Sequence, residues 1–421
     1  MGTSKNWAGN YSYLAKTIHR PETVEQIQEI VSKSSKVKAL GSRHSFNDIA
    51  DSPEDIISME NLGQVVGIDA DALTVTIQGG VRYGGLGQYL QAQGFALHNL
   101  ASLPHISVAG ACATGTHGSG NGSGNLSTAV RSIEFVTANG ELARLSRDKD
   151  REGFPGAVVS LGALGIVTQL TLEIEPTYQV EQQVIDRLPF TSVESHFEEI
   201  EASGYSVSLF TDWQTDALNM VWVKRKVMGI SNTPLPDPFF GAKAANEPRN
   251  PIAGMPTINA TDQLGVPGPW NDRLPHFKME FTPSSGEELQ TEYFVDRREI
   301  VDALRAVSRL ASRIAPLIYV CEIRTIATDD LWLSPAYHRD SVAIHFTWKQ
   351  DWEAVRQLLP AIEAELAPFN PRPHWGKLFT IPAETIANSY ERLEDFKALI
   401  KEFDPEGKFR NPFLDRVLCQ P

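Results

Sequence analysis

The chain has 421 residues, 42% of them hydrophobic and 21% charged, fractions that exclude a disordered, coiled-coil or fibrous protein. The length suits two or three ordinary domains. Lys and Arg number 38 against 52 Asp and Glu, and the net charge of −14 argues against nucleic acid or a membrane surface as partner.

Three cysteines, Cys112, Cys321 and Cys419, are too widely spaced for a zinc pair, and their odd number argues against a disulfide framework. No metal site is expected. The start, MGTSKNWAGNYSYLAK, has no apolar core of a secretory signal, and no run of 18 apolar residues occurs. A soluble, cytoplasmic chain is the expectation.

In chain order, residues 22–31 place Val24, Ile27, Ile30 and Val31 on one helical stripe after Pro21. KVKAL (36–40) reads as a short strand running into a polar loop, GSRHSFN (41–47). Leu73, Val75 and Ile77 alternate as in a half-buried strand, and 85–93 suits a helix. A stretch of small residues follows at 102–125; a loop this long within a compact domain is usually functional. Two apolar runs flank Asn139-Gly140 within 132–146, a hairpin signal, and 165–176 reads as a strand. The character of the chain shifts after Pro176, which puts a domain boundary near 176–186. Residues 228–275, rich in Pro and Gly, read as an irregular excursion inside a second domain. Strands follow at 319–326 and 341–349, then a helix at about 351–366, where Glu363 and Glu365 read as solvated. No repeat of solenoid period is present.

Three regions carry candidate chemistry. In 102–125, glycines let the backbone approach a ligand, and consecutive N–H groups with the hydroxyls of Ser107, Thr114 and Thr116 suit a pyrophosphate. A flexible linker is the competing reading, but Ile106, Val108, Ala109, Ala111 and Ala113 are interleaved with the glycines. The Rossmann, P-loop, G-x-S-x-G and H-E-x-x-H motifs are absent. Next, His44 stands among Gly41, Ser42 and Ser45 just after a strand; a lone histidine is more often structural, and only this company of donors argues for more. Last, strand alternation puts Glu322 and Arg324 on one face with Val320 and Ile326, and His345 and Thr347 on one face with Ala343. Val342, Ile344, Phe346 and Trp348 take the opposite, core face. A single exposed Glu–Arg pair contributes little. Two such polar strands, with Lys377 in HWGK (374–377), point to a convergent polar site.

Taken together, GSRHSFN, SLPHISVAGACATGTHGSG, CEIRT, HFTW, HWGK and DPEGKFRNPF resemble the alditol (xylitol) oxidases, a branch of the vanillyl-alcohol-oxidase-type flavoproteins. The resemblance runs from NWAGN (6–10) to the tail at 404–413. It implies an α+β fold: a FAD-binding domain of two subdomains with an inserted cap domain built on a large antiparallel sheet. The implied division is 1–180 for the N-terminal part of the FAD-binding domain, 181–372 for the cap, and 373–421 for a C-terminal segment that completes the FAD domain.

The resemblance also implies a covalent 8α-histidyl FAD on His44. Gly41, Ser42, Arg43 and Ser45 would hold the cofactor, with Ser102, Ser107, Gly110, Thr114, Gly115, Thr116 and His117. Val167 would lie at the adenine side and His374 near the isoalloxazine ring. Implied substrate contacts are Ser102, Glu322, Arg324, His345, Thr347 and Lys377, with Lys377, Arg324, His345 and Glu322 as the catalytic set. Ala101 matches the position that gates oxygen. The implied activity is oxidation of a terminal polyol hydroxyl to the aldose by hydride transfer to flavin N5, with O2 reduced to H2O2, in a monomer. His345 could accept the hydroxyl proton, or a neighbouring cation could hold the oxygen as a partial alkoxide. An aldonolactone oxidase or dehydrogenase is the alternative.

Overall fold

The computed structural model describes residues 5–227, 234–252, 254–280 and 287–418. Cys419, the first four residues, and parts of the 228–275 excursion (228–233 and 253) lie outside them. Among the described residues no helix is long and apolar enough to cross a membrane.

Among the described residues, three large sheets organise the chain, beside a two-stranded pairing of Phe95–Ala96 with Glu175–Pro176. In the first, Thr17–His19 and Val37–Leu40 flank Asp55–Ser58, all parallel. The crossover between the outer strands is the helix Val24–Lys33. Thr23 caps it by accepting from the Gln26 amide, and Ile27 and Val31 face inward. The second sheet has five antiparallel strands in the order Val65–Asp69, Thr74–Gln78, Ile166–Glu173, Val130–Val136, Leu142–Ser146. The expected hairpin is its last pair, joined through residues 137–141 with Gly140 at a φ of 84°.

The third sheet is antiparallel with nine strands, all lying between residues 179 and 373. Its long strands run Gln179–Asp186, Met220–Lys226, Ser206–Thr211, Ile318–Ile326, Ser341–Lys349, Glu288–Asp296 across the sheet. The helices Phe190–Glu201, Ile300–Ser308 and Trp352–Leu366 cover one face. Val342, Ile344, Phe346 and Trp348 are fully buried in the same core as these helices, as the alternation requires. The fold class expected from the resemblance is the one observed.

The excursion carries two short strand pairings and short 3₁₀ turns. The small-residue stretch is not loop throughout: Val108–Ala113 is a helix. Glu363 corrects the solvated reading. It is buried beside Ile362, accepts from the Tyr293 hydroxyl (2.9 Å) and the Thr380 amide (2.6 Å), and burial raises its pKa. Glu365, one turn-edge further, is half-buried and pairs with Arg309.

The tail closes back on the start. The Asn411 amide donates to the carbonyls of Asp48, Ile49 and Asp51 at 2.9–3.1 Å, and Val37 donates to the Lys408 carbonyl at 3.0 Å. The final motif thereby fastens the edge of the parallel sheet.

A second buried acid lies at the end of the helix Phe190–Glu201. Glu201 has no exposure, accepts only from the Thr325 hydroxyl (3.2 Å), and is pushed by burial from 4.5 to about 8. The folded chain therefore keeps a proton there that the unfolded chain releases above about 4.5. Stability from this group is complete below that pH and is lost as pH rises through about 8. Glu201→Gln removes the titration, so the melting temperature of the variant gains on that of the wild type between pH 5 and pH 9. A difference that stays flat across the range would show that Glu201 is already ionised.

Candidate active site

The strand Val37–Leu40 delivers the loop 41–47, which is held from three directions. From the N-terminal side, the Trp7 amide donates to the Arg43 carbonyl (2.8 Å) and the Asn6 and Asn10 amides donate to the carbonyls of Ser45 (2.9 Å) and Phe46 (2.8 Å). From the C-terminal side, Phe46 N–H donates to the Gly376 carbonyl, and the Asn47 amide donates to those of Trp375 and Lys377, each at 2.8 Å. From the small-residue segment, the Ser107 amide donates to Ser42 Oγ at 2.9 Å. These bonds hold Arg43 at a φ of 64°, a left-handed geometry that costs a residue with a Cβ about 1–2 kcal/mol. His44 stacks on Trp7, ring centroids 5.1 Å apart, with Nδ1 2.8 Å from the Ser42 carbonyl. Burial holds its pKa down at about 4, so the ring is neutral at pH 7.

The loop forms one wall of a long cleft. Gly41, Ser42, Arg43, His44, Ser45, Ser107, Gly110, Thr114, Thr116, His117, Val167 and His374 all line it, as do Ala101 and Ser102. Gly115 does not. Its φ of 65° turns the chain after the helix Val108–Ala113, where a Cβ would come 2.9 Å from Pro335. Gly41 and Gly110 sit on either side of Ser107: a Cβ on either would come 2.3 or 2.7 Å from Ser107 Oγ. Thr114 Oγ1 is 3.1 Å from Thr116 Oγ1, which is 3.3 Å from His374 Nε2. His374 Nδ1 accepts from the Gly376 amide at 3.0 Å, so its ring proton lies on Nε2, toward Thr116. A lining of hydroxyls and glycines together with apolar side chains such as Met59, Leu161 and Val167 fits a dinucleotide such as FAD.

The other wall is the uncovered face of the nine-stranded sheet. Register sets its composition. Phe210 lies opposite Glu322, Glu322 opposite His345, and His345 opposite Glu292, so one row crosses four strands. The neighbouring row pairs Val320 with Thr347 and Thr347 with Gln290. Arg324 is on the same face, opposite Ala343. Lys377 reaches the row from the 374–377 loop.

Ionic contacts weld this face together. Glu292 Oε1 lies 2.9 Å from Arg324 Nη2, 3.2 Å from His117 Nε2 and 3.3 Å from His345 Nδ1, while Oε2 accepts from Lys377 at 2.7 Å. Its side chain has no exposure, and the cations around it, Lys377 foremost, hold its carboxyl well below the usual range against the opposing effect of burial. The Lys377 ammonium also donates to His345 Nδ1 at 2.6 Å. An ammonium only donates, so His345 carries its proton on Nε2, 3.0 Å from Thr347 Oγ1. Burial keeps His345 at about 4 and lowers Lys377. Arg324 donates to Ser102 Oγ at 3.3 Å, and its Nε is 3.5 Å from Glu322 Oε1. The same Oε1 takes His276 Nε2 at 2.6 Å. Burial pushes Glu322 upward, but Arg324 and His276 outweigh it and hold the carboxyl far below its ordinary value.

The residues that the resemblance implied as substrate contacts thus line one cleft: Glu322, Arg324, His345 and Thr347 on the sheet face, with Lys377 and Ser102 reaching it from loops. Two central residues were missed. Glu292 carries a readable signal: Glu288, Gln290 and Glu292 alternate with Leu289, Thr291 and Tyr293, a strand pattern. His276 carries none, because it follows the aperiodic excursion.

Over 416 residues, 98% of each chain, the sequence is 49% identical to an alditol oxidase from a Streptomyces species. The chain belongs to the alditol oxidase family of FAD-binding oxidases. The FAD binding domain family model matches residues 15–146, and the D-arabinono-1,4-lactone oxidase family model matches residues 283–417. An L-gulono-1,4-lactone dehydrogenase from Mycobacterium tuberculosis is 29% identical over 433 residues, 98% of each chain. A solved cholesterol oxidase from B. sterolicum shares the fold at a TM-score of 0.78 and 15% identity, covering 99% of this chain and 96% of that one. The first match contains the 41–47 loop and Ser107; the second contains Glu292, Glu322, Arg324, His345 and Lys377. The two walls of the cleft thus come from two family regions, and this flavoenzyme assembles its site between them.

Removing one partner of a buried ion pair leaves the other charges uncompensated. Glu292→Ala is expected to lower the unfolding free energy by about 3–5 kcal/mol, read from urea unfolding. A loss below about 1 kcal/mol, the range of an exposed pair, would mean that Glu292 is not the centre of the network.

Proposed function

We propose that this protein is a FAD-dependent alditol oxidase that converts the terminal hydroxyl of an acyclic polyol, such as xylitol or sorbitol, to the aldose. The observation that carries the reading is the row Glu322–His345–Glu292 with Arg324 and Lys377, a charged surface facing a cleft that the 41–47 loop and Ser107 also line. Identity of 49% to an alditol oxidase, against 29% to a lactone dehydrogenase, favours the polyol over the lactone.

Bound FAD supplies a hydride acceptor at N5 and passes the electrons to O2, giving H2O2. The protein's part is to hold the polyol and manage the charge on its oxygen. Lys377 commits two N–H bonds to Glu292 and His345 and keeps its third for the reacting oxygen. A cation there, in a dry site, stabilises the negative charge left on the oxygen as the hydroxyl proton leaves, charge that collapses into the new carbonyl as hydride departs; that proton and the hydride are the two hydrogens of H2O2. His345 is the weaker candidate for this step: its Nδ1 is occupied by Lys377, and a ring near 4 is a poor base at neutral pH. Its Nε2–H instead orients the Thr347 hydroxyl. Glu322, Thr347 and Ser102 then present acceptors and donors along the length of the polyol, which fixes the orientation on which much of the acceleration depends. Arg324 ties Ser102 to Glu292.

On the cofactor side, a neutral, stacked His44 is the form able to carry a covalent 8α bond. Ala101, buried at the cleft wall, is the oxygen gate in this reading. Residues 1–180 and 373–421 form the FAD-binding domain, and 181–372 the cap. The bonds of Asn411 and of Asn47 across these limits support that division.

Acid-precipitated wild type is expected to stay yellow, whereas His44→Ala releases its flavin to the supernatant. A colourless wild-type pellet overturns the covalent assignment. Lys377→Ala is expected to slow anaerobic bleaching of the flavin by xylitol at least about a hundredfold. Near-normal reduction by that variant refutes the role of Lys377, and a wild type bleached by aldonolactones but not by alditols refutes the substrate.

A further inference from the structure

Lys224 lies on the strand Met220–Lys226, opposite Gln182 and Ser206, and is fully buried. A buried ammonium needs three acceptors, and Lys224 has them: the carbonyls of Leu274 (2.5 Å) and Pro275 (3.1 Å), and His276 Nδ1 (3.0 Å). Because the ammonium donates to Nδ1, the proton of the neutral ring sits on Nε2, 2.6 Å from Glu322 Oε1. The ring cannot turn: Phe210 and Trp222 meet it at 5.6 and 5.1 Å, each tilted by more than 60°. The His276 amide donates to the Ser102 carbonyl at 3.1 Å. The charged groups facing the ring are Lys224, Glu322 and Arg324. Glu322 meets His276 and Arg324 through Oε1, which leaves Oε2 to the cleft.

We propose that His276 and Lys224 are positioning residues of the polyol site. Lys224 fixes the tautomer of His276, and His276 holds Glu322 ionised with Oε2 turned toward a substrate hydroxyl. The inference rests on the reading above that Glu322 accepts from the polyol. Neither residue lies in a matched family region, since residues 147–282 fall between the two. Without the ammonium, the ring is free to take the Nδ1–H tautomer. Its Nε2 lone pair then faces the carboxylate, and Glu322 turns away from the substrate.

The test is a cycle of variants on the FAD-loaded enzyme, read as KM and kcat for xylitol. Glu322→Gln is expected to raise KM about tenfold or more, the scale of a lost hydrogen bond to a charged group. His276→Phe keeps the ring shape without the N–H and is expected to raise KM similarly, with kcat within about threefold. His276→Gln, whose amide N–H can replace Nε2–H, restores most of the affinity. In the Glu322→Gln background, His276→Phe adds less than about twofold, because residues that act through one another are not additive. Full additivity, or a His276→Gln variant no better than His276→Phe, overturns the proposal while leaving the function in place. A Glu322→Gln enzyme with unchanged KM overturns the substrate site itself, and this proposal with it. If His276→Phe fails to fold, Lys224→Met in the same cycle reads the same coupling: loss of affinity only when Glu322 is present supports it, and additivity overturns it.

Discussion

The site depends on a carboxylate that has no access to water. Glu292 is surrounded by Arg324, Lys377, His117 and His345, and its two oxygens accept from the two cations, Arg324 and Lys377. Lys377 and Arg324, pressed together without it, would repel each other in a low-dielectric pocket. With it, each keeps its charge and a fixed direction. Such a network is not chosen for stability alone, since well-packed apolar residues often do as well. What it provides is a rigid array of donors along the cleft wall, the arrangement that stabilises developing negative charge.

A second constraint is that the cofactor wall comes from distant parts of the chain. The loop 41–47 is pinned by residues 6–10 and 374–377, and by Ser107. The pins are mostly asparagine amides and backbone groups, which set direction as well as distance. The same Asn47 amide grips the carbonyl of Lys377, whose side chain reaches into the polar row. The loop that carries His44 and the lysine that joins the polar row are therefore tied together directly. A shift of the 41–47 loop carries the backbone of Lys377 with it.

Much of this was legible in the residues, and the rest was not for definite reasons. The two-residue period over 319–326 and 341–349 placed Glu322, Arg324, His345 and Thr347 on a common side because both strands are flat enough in pattern to need one core face, and Val342, Ile344, Phe346 and Trp348 supply it. Register is a different matter. That Glu322 lies opposite His345 and His345 opposite Glu292 follows from pairing among strands far apart in sequence, which alternation does not encode. Glu363 was misread because a carboxylate on a helix looks solvated until the partners Tyr293 and Thr380 arrive from other elements. Gly115 was implied as a cofactor contact by the resemblance, and its φ of 65° adds a backbone reason for a glycine that no periodicity shows.

His276 marks the limit of periodicity as a guide. A regular strand offers the substrate one side chain every second residue, along a fixed line. To bring a group in from above that line, over Glu322 and against Ser102, the chain must leave the sheet and return, and that demands the proline- and glycine-rich segment that looks featureless in sequence. The segment is then anchored at its important end: Lys224 takes the carbonyls of Leu274 and Pro275, and the Thr261 hydroxyl also donates to Pro275 at 2.9 Å. An aperiodic excursion with a buried cation fastening its return is thus what a sheet-based polyol site needs when its flat face alone cannot surround the ligand.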